Sequence, residues 1–114
     1  MTSVNIVFFM ACLFLVGCAS NNALYEWGAY EQTLLKVYHE PEYKTEALNK
    51  YLKFVENYQG DKPLAPGLYA EAGTFLLEQG DYQEAIGFYK LEYEHWPESR
   101  PMLGALIENL EARQ

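Results

Sequence analysis

Two histidines of this chain stand among carboxylates, in His39-Glu40-Pro41-Glu42 and in Glu94-His95-Trp96-Pro97-Glu98. Imidazole and carboxylate are the groups that ligate zinc or trade protons with a substrate. A metal-binding helix, however, presents two histidines four residues apart, and neither cluster does. Each lies beside a proline, where a helix ends, and solvated helix ends account for both, so no metal site is assigned. No phosphate-cradling glycine loop and no serine elbow occurs. Glu92 is a different case. If its helix face is buried, an ionised carboxylate there needs donors, because an unpaired buried charge is costly. The Trp27 indole or a tyrosine hydroxyl would supply one and lock the first helix onto the rest; the alternative is a half-exposed helix carboxylate.

One further side chain has reactive potential. Cys18 closes Leu15-Val16-Gly17-Cys18, directly after the uncharged run IVFFMACLFLV at Ile6–Val16. That run is shorter than the roughly 20 apolar residues of a membrane-spanning helix. It matches the roughly 7–15-residue apolar core of a secretory signal that ends in small residues. The four residues read as a lipobox, in which the cysteine sulfur takes a diacylglycerol and the chain is cut between Gly17 and Cys18. On this reading residues 1–17 are a signal peptide, 18–23 a lipidated tether and 24–114 the folded domain. The acyl chains, palmitate-like, meet the two-signal minimum for stable anchoring. Met1 to Asn5 carry no lysine or arginine, so either the amino terminus alone supplies the usual positive charge or the start codon lies upstream. Cys12 leaves with the signal and Cys18 is blocked, which leaves no disulfide available.

All charge lies from Glu26 onward, and the formal net charge is −8. Such a surface repels nucleic acid and anionic headgroups, so electrostatic capture of either is excluded as the main task. Acidity also serves solubility.

These residues must be held by helices. Apolar spacing predicts five: about Leu24 to Tyr38, Lys44 to Tyr58, Gly67 to Gln79, Tyr82 to Trp96, and one beginning at Ser99. Gln59 to Pro66, with two prolines and a glycine, is a loop. Gly80 suits a left-handed helix end, and Asp81 with Glu84 forms a capping-box pattern. In the fourth helix Tyr82, Ala85, Ile86, Tyr89 and Tyr93 are predicted to face inward; in the fifth, capped by Ser99, Leu103, Leu106, Ile107 and Leu110. At this spacing the ten tyrosines read as core rather than as sugar-stacking platforms.

Pro66 to Ser99 resembles one tetratricopeptide unit of roughly 34 residues. Tyr69, Ala72, Gly73 and Leu76 take first-helix positions, Gly80-Asp81-Tyr82 the turn, Ala85 and Tyr89 the second helix, and Pro97 the end. Gly73 and Ala85 are small where the two helices cross. The hairpin from Trp27 to Tyr58 is a degenerate copy, its register open by about one turn. The expected fold is all-α: a tetratricopeptide-like stack of two helical hairpins with a C-terminal capping helix. By analogy with such stacks, Ala70, Thr74, Leu77 and Glu78 form an interaction surface, with Lys36 and His39 contributing from the earlier hairpin.

Tyr25-Glu26-Trp27-Gly28-Ala29-Tyr30, Pro66-Gly67-Leu68-Tyr69-Ala70 and Glu92 through Trp96-Pro97-Glu98-Ser99 together resemble a family of small bacterial lipoproteins of unknown function. The resemblance implies an outer-membrane anchor, a periplasm-facing helical domain, and a gene neighbour similar to the curli-secretion pore subunit beside a third small lipoprotein. It implies no reaction and no cofactor. The expected role is therefore a non-enzymatic assembly accessory whose partner is another envelope lipoprotein. Two alternatives stand. One is a regulator of a cell-wall synthase, for which a tether reaching about 18 Å is short. The other is a small glycan-binding or glycan-cleaving protein using the tyrosines and a carboxylate pair, whose catalytic version would fall if function survives replacement of His39, His95 and Glu98 together.

Overall fold

The computed structural model describes residues 23–114; Gly17 and Cys18 lie outside them, with the whole expected signal segment. Among the described residues five helices follow in order: α1 Tyr30–His39, α2 Lys44–Glu56, α3 Leu68–Glu78, α4 Tyr82–His95 and α5 Arg100–Glu111. Short 3-10 turns at Pro41–Tyr43 and Pro97–Ser99 lead into α2 and α5. Each helix packs on the next in the chain, which builds two hairpins and a closing helix. The chain is all-α, as expected; among the described residues the one extended pairing is an isolated parallel bridge between Glu26 and Leu64.

The first helix is shorter than its apolar spacing predicts. It begins at Tyr30 rather than Leu24, because the preceding backbone is engaged elsewhere. Glu26 donates its N–H to Pro63 O and accepts from Ala65 N–H, both at 2.9 Å. Its carboxylate takes the Gly28 N–H at 2.8 Å, and Gly28 turns the chain with φ +54°. Glycine is required there twice over, since a Cβ would also run into the Phe54 ring. Lys62 adds a bond from Nζ to Ala23 O at 2.9 Å. Residues 23–28 are thus clasped to the loop that joins the two hairpins.

The turn between α3 and α4 follows its sequence closely. Gly80, at φ +85°, lets Asp81 N–H reach Leu76 O at 2.9 Å and Gly80 N–H reach Leu77 O at 3.0 Å. This pair of bonds is a Schellman motif, which satisfies carbonyls that α3 would otherwise leave open. Asp81 Oδ1 then accepts from Glu84 N–H at 3.3 Å, starting α4. Ser99 behaves otherwise. Its backbone is already helical (φ −82°, ψ −14°), so its hydroxyl turns back and donates to Trp96 O at 2.6 Å instead of capping α5.

The core forms two clusters. Leu48, Tyr51, Val55, Leu64, Ala65, Leu68, Ala72 and Phe75 fill the space between the hairpins. Leu76, Ala85, Ile86, Tyr89, Leu103, Ile107 and Leu110 fill the second hairpin and its closing helix, with Leu106 partly buried beside them. Tyr51 spans α2 to α3, donating its hydroxyl to Leu68 O at 2.8 Å. In α4 the buried stripe is Ala85, Ile86, Tyr89 and Glu92. The expected Tyr82 and Tyr93 are instead 48% and 38% exposed. A stripe stepping by three from Tyr89 arrives at Glu92, which leaves its neighbour Tyr93 to carry the Arg100 guanidinium 5.5 Å above its ring.

Candidate interaction site

The hairpin of α3 and α4 is held at its open end by Glu92. This side chain is only 2% exposed. Its Oε1 accepts the Gly67 N–H at 2.7 Å, and Oε2 accepts the Ala70 N–H at 3.4 Å. Gly67 and Ala70 open α3, whose first amide groups have no partner within the helix, and a carboxylate is well placed against that positive end. Glu92 is therefore buried and hydrogen-bonded rather than half-exposed, the two states the sequence left open, and its donors are backbone groups at the start of α3. Trp27 does not supply them: its indole is 46% exposed and lies against Tyr30, with ring centroids 6.1 Å apart. The coupling expected between Glu92 and the first helix is replaced by one within the second hairpin.

Gly73 and Ala85 meet where the helices cross. A Cβ on Gly73 would stand 2.9 Å from Tyr89 Cε1 and 3.0 Å from Ala85 O. Beside this contact the Thr74 hydroxyl reaches Ala70 O at 3.0 Å and the Tyr89 hydroxyl at 3.1 Å. Thr74 is thus occupied in holding the hairpin together. Ala70 and Leu77 are partly buried against the second core cluster. Glu78 is exposed, 3.9 Å from Lys44 Nζ. Of the expected surface, Glu78 is exposed and the other three only partly so. Lys36 lies 4.7 Å above the Tyr43 ring, and His39 ends α1 in solvent.

A carboxylate not singled out in the sequence, Glu71, belongs to this region. Burial first, and the Glu78 charge second, push its carboxyl above the usual range. Glu71 in turn raises the hydroxyls of Tyr30 and Tyr51, where burial is again the larger cause. Its spacing from Glu78, seven residues on one helix, is the signal that marks a shared face.

Two concavities flank the hairpins. One, of about 550 Å³, is walled by Tyr58, Tyr69, His95 and Trp96 against the Gly60–Leu64 loop. His95 is fixed there by Nδ1 at 2.8 Å from Leu91 O and by the Tyr69 ring at 5.2 Å. The second, of about 530 Å³, runs between α2 and α4, lined by Leu52, Glu56, Leu76, Glu84, Gly87, Phe88 and Leu91. Sequence reasoning missed both, since each is assembled from separate helices. His39 and His95 belong to different hairpins, and Glu98 sits in the turn before α5.

Fold and surfaces together define a small protein of stacked helical hairpins. Residues 24–106 match a domain of unknown function (DUF4810), and the chain belongs to that family. No curated protein and no solved structure matches it.

Proposed function

We propose that this protein is a non-enzymatic accessory lipoprotein, anchored through Cys18 at the bacterial outer membrane and facing the periplasm, that docks another envelope lipoprotein. The pore-like neighbour implied by the family resemblance is the proposed partner. The observation that supports this reading is the state of α1. Its inner side chains Tyr30, Leu34 and Val37 pack on the core, none of its residues is fully buried, and Leu35 and Tyr38 stand 65% and 81% exposed. At the other end of the stack α5 buries Leu103, Ile107 and Leu110. Stacked hairpins need a covering neighbour at both ends, so a partner fits the α1 end. Photo-crosslinking in cells from positions 35 and 38 tests this: capture of a lipoprotein is expected, and capture of glycan or lipid alone overturns it.

A second reading, a small glycan-binding protein, draws on the cleft of Tyr58, Tyr69, His95 and Trp96, because aromatic rings offer apolar faces to sugars. Binding of cell-wall fragments that is lost in Tyr69→Ala would favour it over the docking role.

A further inference from the structure

Gly87 sits in the middle of α4, where glycine costs about 1 kcal/mol relative to alanine. Nothing among the described residues asks for it: a Cβ there would meet no atom within 4 Å, and its φ is not left-handed. The residue instead opens the groove between α2 and α4. Leu52 and Phe88 line that groove and pack against both core clusters, so it follows the seam between the hairpins. Leu76 lies at its base, 4% exposed, and Leu91 at its edge, 37% exposed. The two charged residues lining it, Glu56 and Glu84, are both acidic, and neither is ion-paired among the described residues. Small residues let helix axes approach to about 8 Å, the close end of the packing range.

We propose that this groove receives one helix of a partner protein, with an apolar face crossing Gly87 and lysine or arginine residues flanking that face. The inference rests on the docking reading above and adds a second surface to it, together with the chemistry of what it binds. Groove-to-groove pairing with a second copy of this chain is a poor fit, because it would bring the same carboxylates against one another.

The test uses the full-length protein in nanodiscs of zwitterionic lipid and two labelled helical peptides. Both peptides share one leucine and alanine face; lysines flank it in one and glutamates in the other. Fluorescence anisotropy is expected to show the lysine peptide binding at least tenfold more tightly. Glu56→Lys with Glu84→Lys should reverse the preference, and Gly87→Phe, which projects into open space, should abolish binding while the melting curve stays cooperative. Equal binding of both peptides, an unmoved preference, or binding that survives Gly87→Phe overturns the proposal. So does a dimer by light scattering that Gly87→Phe dissolves. Crosslinkers at Leu91 and at Leu35 separate the two levels. Capture of a basic helical segment from Leu91 is expected. A partner captured from Leu35 alone sinks the groove and leaves docking standing; capture from neither removes both.

Discussion

The carboxylate of Glu92 accepts the backbone N–H of Gly67 at 2.7 Å, so the last turn of α4 closes the first turn of α3. A helix start normally capped by a nearby serine, threonine or aspartate is here capped from 25 residues away. Local backbone order and the tertiary hairpin then stand or fall together.

Glu92→Ala takes the acceptor from these part-buried amides, and a loss of about 1–3 kcal/mol is expected. Glu92→Gln keeps an acceptor and should lose less. Trp27→Phe combined with either should be additive, since the indole lies elsewhere. Thermal melts of the single and double variants measure all three; strong coupling would contradict the Gly67 geometry.

Two glycine substitutions should move stability in opposite directions. Gly73→Ala pushes a methyl against Tyr89 and Ala85 and is expected to destabilise by about 1–3 kcal/mol. Gly87→Ala meets nothing and should stabilise by up to about 1 kcal/mol. Denaturant unfolding of both variants checks the contrast.

Glu71 has a raised carboxyl in the folded state. Between the unfolded value near 4.5 and the higher folded one, the native state holds the proton more tightly, so stability falls as pH rises through that window. Glu71→Gln should therefore raise Tm at pH 7, and the gain should vanish below the unfolded value. A gain that persists at pH 3.5 would point to packing instead.

Tyr51 is pushed far above the ordinary phenol value of 10.0, chiefly by burial. Its raised folded value means stability is lost as pH climbs past the unfolded range. Ultraviolet titration should show one phenol that ionises only on unfolding, and Tyr51→Phe should remove it. That variant removes the hydroxyl bond to Leu68 O, whose helical amide donor remains, and should cost about 0.5–1.5 kcal/mol.

The proposed anchor makes a separate expectation. Cells fed an alkyne fatty acid should label the wild-type protein and not Cys18→Ser. Equal labelling of both would remove the lipidation site.

Much of the fold is legible where the signal is local. Gly80-Asp81 with Glu84 announces the hairpin turn, because a Schellman end and an N-cap are each written within four residues. The stripe Ala47, Leu48, Tyr51 and Val55 announces α2 in the same way. What escapes depends on distant partners. The start of α1 is set by Pro63 and Ala65, far along the chain, and apolar spacing from Leu24 cannot register that competition. Whether Glu92 is buried stays open in the sequence, because the apolar spacing of α4 points to its neighbour Tyr93, and its donors are main-chain groups, which carry no side-chain signature. Tyr93 looks core-like by type and spacing, but Arg100 gives it a use at the surface. Gly87 and Leu91 are the visible trace of the α2–α4 groove: a mid-helix glycine without a steric need, and a leucine off the buried stripe.

The clasp of Ala23 by Lys62 and of Glu26 by the Pro63–Ala65 backbone also has a mechanical meaning. With the proposed anchor at Cys18, a pull along the chain would arrive first at this clasp rather than at α1. The inter-hairpin loop would then act as the mooring point, since the stretch from Cys18 to Ala23 spans at most about 18 Å. Load would then enter the helical stack at one edge, through the seam between its two hairpins, and not along the axis of α1.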